Sequence, residues 1–230
     1  MNTLTAIVPF YNEERYLKES VENLLQVKEI QEIILIDDCS TDNSSDIANN
    51  LVKGNKKLKF FTKQTNGGKG SCLKHVSKEV STTHVIIHDA DLEYFPQDII
   101  EMFEKTLVYK DSLILGSRFI GSKERKNIYK RTYYANKFMS LFFSLINFYK
   151  ITDVATCYKL MPSSFFKEVT LKEEGFSIEI EILSKYLKKN RSIVEVPICY
   201  SGRSYTQGKK IRTSDGLKYL FNTIKYRLIN

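Results

Sequence analysis

The sequence predicts an α/β fold with a mostly parallel central sheet flanked by helices. Three observations carry this. Strand-like and helix-like segments alternate through the first half of the 230 residues. The strand-like runs are short, apolar and rich in β-branched residues, as strands covered on both faces are. Polar or conformationally special residues stand at the end of run after run, where open α/β sheets hold their ligands.

Thr5–Val8 is an apolar run ended by Pro9, and a helical pattern follows over about 13–27, with Leu17, Val21, Leu24 and Leu25 on one face. Ile33–Ile36 is a continuous strand-like run, and Asp42-Asn43-Ser44 can cap a helix over about 44–52. Leu58–Phe61 reads as a strand. A glycine-rich turn, Asn66-Gly67-Gly68-Lys69-Gly70, opens a helix to about Val80. His84–His88 is the next strand, Pro96 begins a helix at its favoured first turn, and Leu113–Leu115 is a further strand. Residues 126–149 read as a helix, basic early and apolar late. A helix around 178–189, a strand at Ile193–Ile198, a basic loop over 201–212 and an amphipathic helix over about 213–229 complete the chain. Such alternation means βαβ units and parallel strands.

Hydrophobic residues at 42% and charged residues at 27% exclude a disordered or collagenous chain. The length suits one domain with a core that needs no disulfide or metal staple. The formal net charge is +8, and its location is uneven. Residues 123–137 hold six cations against Glu124, and residues 200–230 hold seven against Asp215, which leaves a mildly acidic body with two basic segments. Cys39, Cys72, Cys157 and Cys199 form no CxxC pair, so reduced thiols in a cytosolic protein are expected. The N-terminal stretch has no signal-peptide pattern. No apolar run reaches the roughly 18 residues of a membrane span. The longest candidate, Phe138–Tyr149, is broken by Ser140, Ser144 and Asn147.

The strand ends carry the chemistry. Asp89-Ala90-Asp91 places two carboxylates at i and i+2, which point the same way on an extended segment. They suit one hard divalent ion that in turn holds a diphosphate, and Glu93 can add a third oxygen. The competing reading is one capping and one solvated carboxylate. Asp38 can accept from a nucleobase or a ribose, and Asp42 is expected to cap the following helix. The 66–70 turn is either a phosphate cradle at a helix N-terminus or only a tight loop; it matches neither GxxxxGK[ST] nor GxGxxG. His75, His84 and His88 have no ligand spacing and read as structural.

In this order and spacing, Val-Pro-Phe-Tyr-Asn-Glu-Glu, Ile-Asp-Asp-Cys-Ser-Thr-Asp, Asn-Gly-Gly-Lys-Gly, Asp-Ala-Asp-Leu-Glu-Tyr and Gly-Ser-Arg-Phe resemble the family 2 glycosyltransferases. The dolichyl-phosphate mannose synthase or polyprenyl-phosphate sugar transferase type is the subgroup it looks like. Thr152–Lys159, Gly175–Ile182, Glu195–Ile198 and Gly202–Ile211 extend the resemblance to nearly the whole chain. It implies a Rossmann-like GT-A fold, a nucleotide-sugar-binding half over 1–125 and an acceptor-binding half over 126–230 with membrane-proximal helices. It implies that Pro9, Tyr11, Glu13, Asp38, Lys69 and Asp89 bind the nucleotide sugar. Asp89, Asp91 and Glu93 are the implied ligands of Mg²⁺ or Mn²⁺, and Arg118, Arg131, Lys159 and Arg203 the implied holders of an acceptor phosphate. Asp91, Arg118 and Arg131 are the implied catalytic residues.

A hydroxyl acceptor needs a general base, whereas a phosphate acceptor is already an anion and needs cations to position it. The chain lacks the late Glu-Asp pair that supplies this base in many family 2 enzymes. That favours a phosphate acceptor, with Glu179 and Glu181 the remaining base candidates. Phe138, Leu141, Phe142, Leu145, Ile146 and Tyr149 form a helical stripe after the first basic segment, widened by Met139 and Phe143. Two readings are open: a core helix, or an interfacial helix on anionic headgroups. On the second, Phe142 and Phe143 replaced by Ser release the protein from liposomes without unfolding it.

The expected activity is inverting, metal-dependent transfer of a hexose from GDP-mannose or UDP-glucose to polyprenyl or dolichyl phosphate. It is placed at the cytoplasmic membrane face, with the protein peripherally attached. The alternative is a family 2 transferase acting on a saccharide hydroxyl in cell-surface polysaccharide synthesis. A sugar nucleotidyltransferase is disfavoured, because Pro-Phe-Tyr-Asn-Glu stands where its glycine-rich, basic loop belongs. A nucleic-acid partner is not expected, because the rim is acidic and the basic segments lie elsewhere.

Overall fold

The computed structural model describes residues 2–127, 129–189, 192–203 and 213–229. Lys209, Lys210 and Arg212 of the expected basic loop lie outside the described residues. One seven-stranded sheet organises the chain in the order β3-β2-β1-β4-β7-β5-β8. Its members are β1 (Leu4–Phe10), β2 (Ile30–Asp37), β3 (Leu58–Thr62), β4 (His84–Ile87), β5 (Leu113–Ser117), β7 (Lys159–Pro162) and β8 (Ile193–Pro197). A parallel pair, β6 (Arg125–Lys126) and β9 (Tyr200–Ser201), lies apart from it.

β1 pairs in parallel with β2 and β4, with Ile7 opposite Ile34 and Ile87. All seven residues of β1 are buried, as expected for a strand covered on both faces. The helices α1 (Leu17–Leu25), α2 (Ser44–Lys53), α3 (Lys69–Val76) and α4 (Asp98–Val108) fall where the sequence places them. α1 starts later than its apolar period because Asn12 takes a left-handed turn (φ 52°) and residues 14–16 form a turn before the helix.

Two elements escape the sequence pattern. β7 enters the sheet antiparallel to both β4 and β5, and α6 (Ser163–Glu168) follows it directly. β7 opens on Lys159, a residue type that ordinarily argues against a central strand, and is only four residues long. Through β7 and β8 the second half of the chain completes the sheet begun by the first.

α5 (Lys130–Asn147) starts later than 126 because Arg125–Lys126 pair with β9 and Asn127 turns left-handed; it ends on the left-handed Phe148. α7 (Ile178–Lys188) and α8 (Thr213–Leu228) close the fold, and α8 packs against both α5 and α7. Phe143 of α5 is wholly buried and belongs to the core. The Phe142/Phe143 substitution is therefore corrected as a test of membrane contact, because replacing Phe143 empties core volume. The exposed apolar residues of α5 are Phe138, Leu141 and Leu145, with Phe148 just beyond. α8 adds Leu217, Phe221, Ile224 and Leu228. No helix among the described residues is long and apolar enough to cross a membrane.

Candidate functional site

The carboxyl ends of the strands converge on a cavity of about 580 Å³, within the size range of small-molecule sites. The backbone turns sharply there: Asn12, Cys39 and Leu92 follow β1, β2 and β4 with φ of 52°, 65° and 59°. Left-handed non-glycine residues cost about 1–3 kcal/mol each and cluster where side chains must be aimed. Pro9, Tyr11, Glu13, Asp38, Lys69, Asp89, Asp91, Glu93, Arg118, Arg131 and Arg203 all line this cavity.

Lys159 does not line it. Its ammonium is fully buried and donates to the carbonyls of Val154 and Thr156 and to Glu179 Oε2. These use its three protons, so Lys159 is corrected as an acceptor-phosphate ligand. Burial lowers its pKa, and Glu179 opposes that shift.

Asp38 is turned toward the glycine loop. Its carboxylate accepts from Lys63 Nζ at 2.5 Å, Gly67 N at 3.0 Å and Gly68 N at 2.5 Å. The backbone donors of Gly67 and Gly68 are thus aimed at Asp38, so the loop is held as a tight turn. Gly68 has φ 85°, and a Cβ there would meet the Glu174 carbonyl oxygen at 2.8 Å. Asp42 accepts from Ser44 N at 2.9 Å, but the N-cap position of α2 is Asn43, with no side-chain capping bond, so the cap expected of Asp42 is corrected to a turn before the helix.

Lys69 sits between two carboxylates, 2.7 Å from Asp89 Oδ1 and 2.7 Å from Glu179 Oε1. Burial pushes its pKa down, but Asp89 and Glu179 outweigh it and hold Lys69 well above the usual lysine range. Asp89 is in turn held below the usual carboxylate range, burial opposing and Lys69 prevailing. Asp91 differs. Burial, then the charges of Glu93 and Asp89, push it up to about 7, against the pull of Arg203.

Arg203 bridges Glu13 (Nη1 to Oε2 3.0 Å, Nη2 to Oε1 3.3 Å) and Asp91 (Nη2 to Oδ2 3.1 Å). Its buried Nε has no hydrogen-bond partner among the described residues. Glu93 is committed to the same corner: Oε2 accepts from the Tyr200 hydroxyl at 2.5 Å, and Oε1 from Arg203 N at 2.7 Å. Glu93 is therefore corrected as a third metal ligand; it anchors residues 200–203 beside the cavity.

Arg118 is fixed by Asp153, which accepts from Nε at 2.7 Å and from Nη2 at 2.8 Å, and its guanidinium lies 4.9 Å from the Tyr200 ring centroid. Nη1 is the donor that this bidentate pair leaves over. Arg131 lies exposed in the first turn of α5. Asp153 stands within the Thr152–Lys159 motif, yet no sequence signal links it to Arg118, because 35 residues separate them. The apolar wall was also not legible: Met139, Phe176, Leu217, Tyr219 and Leu220 reach the cavity from α5, the 175–177 turn and α8.

Asp89 and Asp91 fit a hard divalent ion that completes its oxygen shell from a diphosphate and water. No group of three His, Cys, Asp or Glu side chains suited to hold a metal forms among the described residues.

Residues 5–170 match glycosyl transferase family 2, and the chain belongs to that family. It is 27% identical over 241 residues to a UDP-N-acetylglucosamine–dolichyl-phosphate N-acetylglucosaminyltransferase of Methanococcus voltae, covering 96% of this chain and 95% of the relative. It is also 27% identical to a dolichol-phosphate mannosyltransferase of Pyrococcus furiosus, covering 97% of this chain but 64% of that longer relative. The fold is similar to that of glucosyl-3-phosphoglycerate synthase from Mycobacterium tuberculosis, solved with Mn²⁺, UDP-glucose and phosphoglyceric acid. The TM-score is 0.76 at 14% identity, covering 100% of this chain and 81% of that one. The Rossmann-like GT-A arrangement expected from the sequence is the fold observed.

Proposed function

We propose that this family 2 glycosyltransferase moves a hexose, with inversion, from a nucleotide-diphosphate sugar to polyprenyl or dolichyl phosphate at the cytoplasmic membrane face. One observation carries the acceptor assignment. The cavity wall beyond Arg118 and Arg131 is apolar and is made by α5 and α8, and Phe138 and Leu217 belong both to that wall and to the exposed surface. A ligand with a phosphate head and a hydrocarbon chain matches that continuity. The names of the Methanococcus voltae and Pyrococcus furiosus relatives agree with it.

The carboxylates support the same reading. A saccharide hydroxyl requires a base, and both late candidates are committed elsewhere. Glu179 holds two lysines. Glu181 is fully buried and accepts from Lys172 N and Glu173 N at 2.7 Å. A phosphate acceptor is already anionic, so the protein's task is positioning. Arg131, with Arg118 Nη1, holds that anion; Pro9, Tyr11 and Glu13 border the nucleoside; Lys69 faces the diphosphate. Mg²⁺ or Mn²⁺ on Asp89 and Asp91 supplies neutralisation of the leaving diphosphate.

The bilayer is the partner proposed for the exposed faces of α5 and α8. Lys130, Arg131, Lys218 and Arg227 are exposed on these helices and complement anionic headgroups. Part of the basic segment is not available for this: Lys123 is paired with Asp98 and Glu101, and Lys126 with Glu124.

A thermal-shift panel of UDP-glucose, UDP-N-acetylglucosamine and GDP-mannose, with and without Mn²⁺, tests the donor, since ligand at 100 times Kd stabilises by about 2.7 kcal/mol. A donor that raises the melting temperature is then offered polyprenyl phosphate and free saccharides in parallel. Stabilisation by none of the three removes the donor reading, and transfer only to saccharides removes the acceptor reading.

A further inference from the structure

Glu179 has no role in the mechanism above, yet it joins two lysines of opposite standing. It lies in the first turn of α7, buried, with one oxygen on each. Lys159 is sealed in the sheet and fixes Oε2 from behind. Lys69 faces the cavity and is held by Oε1 on one side and Asp89 on the other. The two carboxylates come from different elements, α7 and the segment after β4, so the ammonium is clamped from two directions.

We propose that Glu179 is a positioning residue that fixes the Lys69 ammonium for contact with the donor diphosphate. This rests on the donor reading given above. Asp89 and Glu179 both pair with the Lys69 ammonium at 2.7 Å, and Lys69 also lines the cavity. Held between two carboxylates from different elements, the ammonium keeps one position at the cavity, which is what a preorganised anion contact requires. Without Glu179, Lys69 would be drawn to Asp89 alone and its long flexible stem would regain rotamer freedom. Lys159 serves the clamp from a distance. It holds Glu179 in one rotamer and takes no part in the cavity.

Calorimetric titration of UDP and GDP in the presence of Mn²⁺ tests this on Glu179→Gln, Glu179→Asp, Lys69→Met and the double variant Lys69→Met/Glu179→Gln. The expected result is at least tenfold weaker nucleotide binding for Glu179→Gln, partial recovery for Glu179→Asp, and no further loss when Glu179→Gln is added to Lys69→Met. A structural role for Glu179 gives additive losses instead, and additivity overturns the proposal. So does Glu179→Gln binding nucleotide as tightly as the native protein. Should Glu179→Gln fail to fold with Lys159 left unpaired, the same comparison is made in a Lys159→Met background. Native protein that binds neither nucleotide refutes the donor reading itself, and this proposal with it.

Discussion

Replacing Leu141 and Leu145 by Ser tests the membrane surface directly. The two side chains are 58% and 64% exposed on α5. Burying a whole leucine side chain contributes about 1.5–3 kcal/mol. Three-fifths of that is about 1–2 kcal/mol for each residue on the same scale. Losing both costs about 2–4 kcal/mol of partitioning, and each 1.4 kcal/mol is tenfold. The expected outcome is a drop of about 30-fold or more in binding to phosphatidylglycerol-containing vesicles, read by co-sedimentation at low salt. The melting temperature is expected to stay put, because exposed sites away from special features change stability by only about 0.5 kcal/mol. Vesicle binding that changes less than threefold, with the fold intact, refutes the reasoning. Phe143 is the contrast: it is wholly buried, so Phe143→Ser should cost about 3 kcal/mol or more of stability.

Arg203→Gln removes the cation that pairs with Asp91 in this structure, so Mn²⁺ binding measured by calorimetry is expected to tighten several-fold; weaker binding contradicts the placement. Arg131→Ala is expected to leave nucleotide-sugar binding unchanged and to lower transfer at least tenfold, and equal loss of both shows that Arg131 serves the donor instead. His88 is buried between Ser20 Oγ and the Tyr158 hydroxyl, and burial lowers its pKa from 6.5 to about 4. The unfolded chain therefore takes up this proton first. The stability His88 confers is complete above pH 6.5 and is lost as pH falls through about 4, a difference of about 3 kcal/mol. Urea unfolding of His88→Gln should show a correspondingly flatter decline between pH 7 and 4.5, and an unchanged decline assigns the effect elsewhere.

The parallel half of the fold was legible because its strands are unbroken apolar runs and each ends on a chemically unusual residue. β1, β2 and β4 are recognisable from Ala6–Val8, Ile33–Ile36 and Val85–Ile87 alone. β7 was not, because its burial of Lys159 depends on two carbonyls and a carboxylate 20 residues away. No local pattern encodes such compensation. The site residues were named from motifs, and all but Lys159 reach one cavity. What the motifs do not carry is how the charges pair. Asp38 reads as a binding residue in the sequence, while its partners Lys63, Gly67 and Gly68 make it the anchor of the glycine loop. Arg118 reads as a free cation, while Asp153 neutralises it.

That pairing bears on the divalent ion proposed for the site. Glu13, Asp38, Asp89, Asp91, Glu93 and Glu179 bring six carboxylates to the cavity. Lys69, Arg118, Arg131 and Arg203 oppose them with four cations. With every group ionised the rim is negative by two charges, in surroundings where little solvent screens them. Burial, with the charges of Glu93 and Asp89, pushes Asp91 up to about 7. A sugar diphosphate entering the rim adds further negative charge, and the arginine best placed to answer it, Arg203, is already engaged with Glu13 and Asp91. In the proposed reading, a divalent cation held by Asp89 and Asp91 would supply the missing positive charge. The exposed cations Lys130, Lys218 and Arg227 of α5 and α8 do not enter this balance, because they lie on the surface that meets the bilayer in the proposed reading.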